Sequence, residues 1–256
     1  MQLIPLSTPL VTTEDNIYDV ILNALKAANV ILQDGDVLTI ASKIVSVTTG
    51  QVVHRDNIEV SEEARKYAEI TKLSPEFMEI SIRESEQVLG ACWGALLTKR
   101  DNNVMPNAGA DQSNAPDGII ILLPREPAKA AKEIQHFLQE KFNCKLGIII
   151  GDSRVQPLRR GTSGLALGVA GIVPVIDDRG RHDLYGREMK MTRRAIADNL
   201  MSAAEILSGE VDEKVPLVLI RGAPVILTDD DLNDTMSIPP NECMYFSTFL
   251  KESIDE

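Results

Sequence analysis

Apolar residues recur at helical spacing in some segments of the chain and form short unbroken runs in others. In the first predicted helix the apolar positions lie three and four residues apart, at Ile17, Val20, Ile21, Ala24, Leu25 and Ala28. The predicted helices begin after the capping residues Thr12 or Thr13, Ser61 and Ser74, and also cover 127–142 and 191–207. Strands are predicted at 37–41, 88–97, 118–123, 146–150, 168–175 and 215–220.

The order of these elements mixes strands with helices and contains no repeat. Thr48-Thr49-Gly50 follows the strand at 37–41 and is typical of a hairpin turn. No Gly/Ser linker or low-complexity stretch divides the chain. The pattern therefore permits an α+β protein, and it does not define the topology.

Composition restricts the class of protein. The 256 residues are 44% hydrophobic and 25% charged, which suits one large core or two modest ones and excludes general disorder. The first residues lack a signal-peptide pattern and the longest apolar runs are too short to span a membrane, so a soluble cytoplasmic protein without a membrane partner is predicted. The three cysteines have no paired spacing and are expected to be buried apolar residues rather than a disulfide or zinc framework.

The formal net charge of -12 disfavours a nucleic-acid partner, because such binding depends on clustered basic residues that neutralise phosphates. Arginines nevertheless cluster locally, at positions 154, 159 and 160, at 179, 181 and 187, and at 193 and 194. One interpretation is a cationic pocket for a small polyanion. The alternative has equal weight for Arg193 and Arg194, which lie in a predicted helix and could simply pair with surface carboxylates.

Two stretches place an acid among small polar residues beside an apolar run. Asp111 lies in the stretch 107–114, and Asp152 follows the predicted buried strand at 146–150. Open sheets tend to bind ligands beyond the carboxyl ends of their strands, so both acids are candidate ligands of a hard cation. The alternative for the first stretch is an Asx turn formed by Asp111, Ser113 and Asn114.

Several segments, taken in order, resemble the coenzyme F420-0:L-glutamate ligase family. They are 34–38 with Ser42, 107–114, 147–154, 165–172, 177–188, 205–210 and 216–222. The resemblance extends over nearly the whole chain. It implies a γ-glutamyl ligase with an α+β fold, in which mixed sheets and flanking helices form two interleaved lobes of an intertwined homodimer. The chain would be one unit, 1–256, with an inner lobe at about 88–190 and an outer lobe from 1–87 and 191–256.

The resemblance also implies ligands and roles for individual residues. GTP would be a substrate, with Mn²⁺ or Mg²⁺, and with K⁺ as a further cation. The metal candidates are Asp111, Asp152, Ser153 and Glu210, and the catalytic candidates are Asp111, Asp152, Arg159 and Arg160. The nucleotide-binding candidates are Thr8, Pro9, Leu10, Val11, Ser42, Lys43, Asn114, Arg154 and Gly209. The chain has no Gly-x-x-x-x-Gly-Lys-Ser/Thr loop, so the nucleotide would not be held in a P-loop.

Two positions depart from the family pattern. Val47 stands where the family commonly has lysine, and on an extended strand Lys43 would lie about 13 Å away, too far to replace that charge. The loss of this lysine and the presence of Arg154 are interpreted as one exchange of positive charge. Val155 stands where the family commonly has glycine, and a β-branched residue rarely adopts φ > 0, so a different loop path is predicted.

Three functional hypotheses follow. The first is a GTP-dependent ligase that adds L-glutamate to the carboxylate of F420-0 through an acyl phosphate. The second is the same chemistry on another acceptor, such as a folate-like pterin. The third is a non-catalytic paralogue that binds a nucleotide. The retained carboxylates favour an enzyme, because buried carboxylates are costly to keep without a cation.

Overall fold

The structure is a computed structural model that describes residues 1–247. In chain order its strands and helices are β1 Gln2–Leu6, α1 Ile17–Ala27, β2 Val37–Ala41, α2 Ser42–Thr48, β3 Val52–His54, α3 Glu62–Thr71, α4 Pro75–Arg83, β4 Gln87–Cys92, β5 Ala95–Arg100, β6 Asn103–Pro106, β7 Ile119–Ile121, α5 Pro127–Phe142, β8 Gly147–Val155, β9 Thr162–Ala170, β10 Val175–Asp177, β11 Arg193–Ala195, α6 Ile196–Ser208 and β12 Leu217–Arg221. Short 3-10 helices cover Arg55–Asn57, Asn107–Gly109, Asn233–Met236 and Pro240–Glu242. The α+β class is confirmed.

The chain forms two compact units. The first consists of Met1–Asp56 with Asp111–Asn233, and the second of Asn57–Ala110 with the segment that begins at Asp234. These bounds differ from the lobe bounds of 88 and 190 suggested by the sequence. The arrangement of lobes in a dimer stays a prediction.

A five-stranded sheet organises the first unit, in the order β1-β12-β2-β8-β9. Only the β2–β8 pair is parallel, and its register places Val37 beside Gly147 and Ala41 beside Gly151. Two smaller antiparallel pairs, β3–β7 and β10–β11, belong to the same unit. Because β2 and β8 run in the same direction, the segments that follow them emerge at the same edge of the sheet.

The main core lies around this sheet and the helices α1 and α5. Apolar side chains from the sheet and from both helices form a single buried cluster that includes Ile21, Leu25, Leu38, Ile134 and Ile148. Fully burying one such side chain contributes about 1.5–3 kcal/mol. The helical spacing at 17–28 and 127–142 therefore identified the core-facing helices correctly.

Glycines let two helices lie directly on the antiparallel pair β8–β9. A Cβ added at Gly164 would lie 2.5 Å from the backbone carbon of Met201 in α6, and one at Gly168 would collide with the backbone of Pro127 and Ala128 in α5. Real Cβ atoms do not approach backbone this closely. Because Gly164 and Gly168 have no side chains, α6 and α5 can lie close to the backbone of β9.

The second unit contains α3, α4 and the three-stranded sheet β4-β5-β6. The caps predicted at Ser61 and Ser74 are confirmed, because the Ser61 hydroxyl accepts the Ala64 N–H and the Ser74 hydroxyl accepts the Phe77 N–H, both at 3.2 Å. The cap predicted at Thr12 or Thr13 is wrong, because Asn16 caps α1 and its side chain accepts the Tyr18 N–H at 2.9 Å. The strand predicted at 88–97 is instead two strands joined through Trp93 and Gly94, where Gly94 has φ +83°. A left-handed glycine permits the reversal that the apolar pattern concealed.

The hairpin predicted at 48–50 is wrong. The segment ends α2, and the hydroxyls of Thr48 and Thr49 donate to the carbonyls of Ile44 and Val45 at 2.8 and 2.7 Å. These hydroxyls bond back to carbonyls of the preceding turn, and the Val45 carbonyl also accepts the Thr49 N–H at 3.1 Å. Gly50 then leaves the helix with φ +71°.

Two other boundaries differ from the prediction. The helix expected at 191–207 begins at Ile196, because Arg193 and Arg194 belong to β11 and pair with β10. The strand expected at 168–175 is the end of β9, which stops before the left-handed Gly171. Among the cysteines, Cys92 is exposed and the other two are only partly buried, so their expected burial is wrong. Within residues 1–247 no helix is long and apolar enough to cross a membrane.

Candidate functional site

A cleft of about 290 Å³ opens in the first unit beyond the end of β2 and beside residues 151–153 of β8. One wall is the segment that follows β1, a second is the start of α2, and a third is the loop 208–216 that follows α6. The lining includes the predicted residues Thr8, Pro9, Leu10, Val11, Ser42, Lys43, Asn114, Asp152, Ser153, Gly209 and Glu210. Segments far apart in sequence thus converge at the edge that the parallel strand pair defines.

Asp111 does not line the cleft, but it is bonded to Lys43, which does. The Lys43 ammonium donates to Asp111 Oδ2 at 2.7 Å, and to the carbonyl and hydroxyl oxygens of Ser113 at 2.9 Å each. Asp111 also accepts the Ser113 N–H at 2.7 Å, so the Asx turn considered from the sequence is present. Burial raises the pKa of Asp111, but the bonds from Lys43 and Ser113 outweigh burial and lower it overall.

Asp152 has the opposite environment. Its carboxylate accepts the N–H of Ser153 at 3.0 Å. Burial is the main cause that raises the pKa of Asp152 to about 6, and the charges of Asp111 and Glu210 act in the same direction. Lys43 and the Ser153 N–H lower this pKa without compensating. The cleft therefore holds a carboxylate whose negative charge is incompletely balanced by the chain itself.

The loop after α6 carries Glu210 into the cleft. Gly209 has φ +64° and ψ −171°, a backbone conformation that residues with a Cβ rarely adopt, so the turn favours glycine. Asn114 fastens the loop, since its side-chain amide donates to the Val211 carbonyl at 2.7 Å. Glu210 accepts the Thr162 hydroxyl at 2.9 Å. Asn114 thus connects the loop to the segment that contains Asp111.

Glu205 is a site residue that the sequence reasoning missed. It lies on α6 one turn after the buried Met201, lines the cleft, and its Oε1 atom is buried without a hydrogen-bond partner. Burial raises the pKa of Glu205 to about 7, helped by the charges of Glu210 and Asp152 and opposed by Arg154. The available signal was a glutamate adjoining the apolar face of a predicted helix.

The separation predicted for Lys43 and Val47 is wrong because this segment is helical. Both residues lie on α2 and both line the cleft. Residues four apart on a helix are neighbours, with Cβ atoms about 5–6 Å apart. Lys43 therefore supplies positive charge close to the place where the family commonly has a second lysine.

The altered segment at Val155 follows the path that its side chain favours. Val155 is the last residue of β8 and has no left-handed φ, as expected of a β-branched residue. Arg154 directs its guanidinium toward Asp198, with Nη2 to Oδ2 at 3.6 Å, and it does not line the cleft. This placement gives no support to an exchange of charge between position 47 and Arg154.

The remaining arginines lie outside the cleft lining. Arg159 and Arg160 are exposed, and among the described residues their side chains form no ion pair. Arg193 and Arg194 face Asp177 and Asp178 at 3.7 and 2.6 Å. The surface-pairing alternative is therefore correct for Arg193 and Arg194, and the catalytic roles of Arg159 and Arg160 stay predictions.

The donor set suits a hard cation, because it combines carboxylates with the hydroxyl of Ser153. Asp152 is half-buried with one N–H partner, and Oε1 of Glu205 is buried and has none. Within residues 1–247, however, no three His, Cys, Asp or Glu side chains converge closely enough to hold one metal ion. The metal-binding roles of Asp111, Asp152, Ser153 and Glu210 stay predictions.

Fold and site together define an α+β protein with an acidic ligand cleft at the ends of two parallel strands. The sequence profile described as F420-0:Gamma-glutamyl ligase matches residues 5–222, and the chain belongs to this family. It is 40% identical over 217 residues to the coenzyme F420:L-glutamate ligase of Methanothermobacter thermautotrophicus, covering 84% of this chain and 86% of that protein. Similarly named proteins are 41% identical in Methanopyrus kandleri, over 78% of this chain and 80% of the relative, and 33% identical in Archaeoglobus fulgidus, over 85% of each.

Proposed function

We propose that this protein is a GTP-dependent γ-glutamyl ligase that joins L-glutamate to the carboxylate of coenzyme F420-0. Its relatives carry the name coenzyme F420:L-glutamate ligase. The observation that carries the proposal is the cleft, in which Lys43, the half-buried Asp152 and the loop with Glu210 surround one ligand-sized space. We place this activity in the cytoplasm, with small molecules as its ligands and neither nucleic acid nor membrane as a partner.

The reaction requires activation of a poor leaving group. A carboxylate oxygen of the acceptor attacks the γ-phosphorus of GTP, GDP leaves, and an acyl phosphate forms. The glutamate nitrogen then attacks the acyl carbon, the carbon–oxygen bond to phosphate breaks, and the nitrogen loses its extra protons. Orientation and charge compensation supply most of the catalysis in such phosphoryl transfers.

The chain offers distinct residues for these tasks. Asp111, Asp152, Ser153 and Glu210 would hold Mn²⁺ or Mg²⁺, which when bound neutralises charge on the phosphate oxygens. Lys43 contributes a positive charge, with its Nζ atom 2.7 Å from Asp111 Oδ2. The apolar segment Pro9–Val11 offers a wall against which a base can lie, and Asn114 holds the loop that closes the cleft.

Incubation of the pure protein with F420-0, labelled L-glutamate, GTP and Mn²⁺, with products identified by mass, tests the proposal. A parallel reaction with a folate-like pterin tests the alternative acceptor. A deazaflavin bearing an added glutamate is the expected product. A pterin product would favour the second hypothesis, and tight nucleotide binding without any product would favour a non-catalytic paralogue. Reactions with ATP, Mg²⁺ or added K⁺ define the nucleotide and cation preferences.

We also propose that two copies of the chain form a homodimer, as the family resemblance implies. Light scattering on the purified protein measures its mass directly, and a dimer would have twice the 28.1 kDa mass of one chain. A monomer that retains full activity would exclude the dimer from the functional unit.

A further inference from the structure

Glu205 is a cleft carboxylate for which neither the resemblance nor the donor arrangement provides a role. It projects from α6, which lies against β9 at Gly164. Because α6 packs directly on this strand, the backbone position from which the Glu205 side chain extends is fixed. Its Oε1 atom is buried, yet no donor among the described residues reaches it. Burying a charged oxygen without a donor is costly, and this points to a ligand that supplies one.

The neighbours of Glu205 indicate the charge of that ligand. Asp152 and Glu210 are near enough to destabilise its ionised form. The nearest opposing charge is Arg154, whose Nη2 lies 3.6 Å from Asp198 Oδ2. A group bound at Glu205 meets a carboxylate oxygen that no donor among the described residues reaches, and a cationic group would complement it best.

Two cationic groups could meet this requirement in a ligase, a metal ion or the amine of the amino acid. The proposed function already assigns the metal ion to Asp111, Asp152, Ser153 and Glu210, which leaves the amine for Glu205. An ammonium group is larger, donates three hydrogen bonds in different directions, and can be shared by carboxylates that do not converge on a point.

We propose that Glu205 binds the α-ammonium group of the amino-acid substrate and positions its nitrogen beside the acyl phosphate. The inference rests on the proposed function and adds a residue to it. Before attack one proton leaves the ammonium for solvent. The nitrogen lone pair then forms the bond to the acyl carbon, phosphate departs with the electrons of the carbon–oxygen bond, and a second proton is lost.

Direct binding tests the ammonium site without catalysis. L-Glutamate and glutarate differ in the amine, so their affinities for the protein loaded with Mn²⁺ and a non-hydrolysable GTP analogue isolate its contribution. We expect wild-type protein to favour glutamate by about tenfold or more, and Glu205→Gln to lose most of this preference. Equal binding of the two ligands by wild-type protein, or an unchanged preference in Glu205→Gln, would overturn the inference.

Kinetics separate this role from activation of the acceptor. Hydroxylamine is largely uncharged at neutral pH and traps an acyl phosphate as a hydroxamate, so it does not need an ammonium site. Glu205→Gln is expected to raise KM for glutamate about tenfold and to change hydroxamate formation by less than about twofold. An equal loss in both reactions would assign Glu205 to phosphoryl transfer or metal binding instead.

Controls distinguish a structural role. Glu140→Gln makes the same change at an exposed position of α5 and should alter neither preference nor kinetics. If Glu205 only balances Arg154, Glu205→Gln will lower the melting temperature and leave KM for glutamate unchanged, which contradicts the inference. If that variant does not fold, Glu205→Asp gives the same readouts, with a raised KM and retained hydroxamate formation expected.

The two proposals can fail separately. Absence of hydroxamate in wild-type protein, together with a preference for glutamate that depends on Glu205, would reject acyl phosphate formation and retain the ammonium site. Hydroxamate formation without any preference for glutamate over glutarate would do the reverse.

Discussion

The acidic cleft and the arginine-rich segment 177–194 are both densely charged, and they differ in how those charges are balanced. In the segment, Arg179 lies 2.6 Å from Asp177 and Arg194 lies 2.6 Å from Asp178. Hydrogen bonds from Arg179 lower the pKa of Asp177 to about 2. In the cleft, burial raises the pKa of Asp152 to about 6.

This contrast distinguishes charges that stabilise the fold by pairing with one another from charges that a bound ligand would have to balance. Paired arginines and aspartates neutralise one another and fix the local backbone, whereas buried acids of one sign impose a cost that a bound cation removes. In the sequence, the density of the arginine clusters indicated a cationic pocket. The balance of charge, which depends on the fold, makes the cleft the stronger candidate for the functional site.

The largest expected effect is on turnover. Asp152→Asn should lower kcat about 100-fold or more at saturating Mn²⁺, because an amide supplies an oxygen without the charge that holds a hard cation. Asp178→Asn is the matched control, and it should retain turnover while melting a few degrees lower. Near-normal activity in Asp152→Asn would break the distinction between the two regions.

The second effect concerns stability without metal. Well below pH 3.8 Asp152 is protonated in both the folded and unfolded states. Between its unfolded pKa of 3.8 and its folded pKa of about 6 only the native state keeps the proton, so stability should fall as pH rises through this window. Asp152→Asn should remove this loss and be more stable than wild type at pH 7 by roughly 2 kcal/mol. Urea unfolding with a chelator measures it, and an equal pH slope in both proteins would contradict it.

Lys43→Met sharpens the comparison within the cleft. The ammonium occupies Asp111 at 2.7 Å and repels a divalent cation, so its removal should tighten Mn²⁺ binding without nucleotide by about tenfold. Calorimetry gives the affinity, and Lys129→Met at an exposed position of α5 is the control. Unchanged or weaker Mn²⁺ binding would mean that Lys43 and the metal do not compete.

A smaller effect is expected at Val47. Since Val47 lies one turn from Lys43 on the cleft wall, Val47→Lys should tighten GTP binding several-fold, equivalent to about 1 kcal/mol for one partly exposed charge. The gain should shrink as salt rises. If binding weakens and Arg154→Ala proves damaging, the exchange of charge first inferred from the sequence would be restored.

The smallest effect is expected at the exposed arginines. Arg159→Ala and Arg160→Ala should change KM for GTP by less than about threefold and leave the melting temperature unaltered, because their side chains have no partner in the described part of the chain. A larger rise in KM would show that these arginines reach a cleft in the assembled protein, as their predicted catalytic role requires.

Much of the fold could be predicted because local patterns agree with tertiary packing. The helix Pro127–Phe142 matches its prediction because its apolar face packs on the core, and Ser61 and Ser74 act as the expected caps. The hairpin predicted at Thr48 failed because threonine hydroxyls can satisfy helix carbonyls as well as begin a turn. The spacing of apolar residues does not distinguish a helix end from a hairpin turn at this position.

The candidate site was predicted in part, through the family pattern and the apolar strand before Asp152. That strand was expected to end at 150, but β8 continues to Val155, so Asp152 lies within it. Asp152 and Glu210 line the cleft as expected. Glu205 was missed, because its relevance depends on which face of α6 meets the sheet. The contact between Lys43 and Asp111 was missed as well, since 68 positions separate these residues and only the fold brings them together.

The glycines beneath α6 also determine where sequence change can accumulate during evolution. Any side chain at Gly164 would displace the helix that carries Glu205, so this strand position is closed to drift even though it carries no chemistry. Val47 belongs to a wall that borders open space, and replacements there change charge without moving the backbone. Changes in ligand preference are therefore expected in the wall of the cleft, where Val47 already departs from the common family pattern.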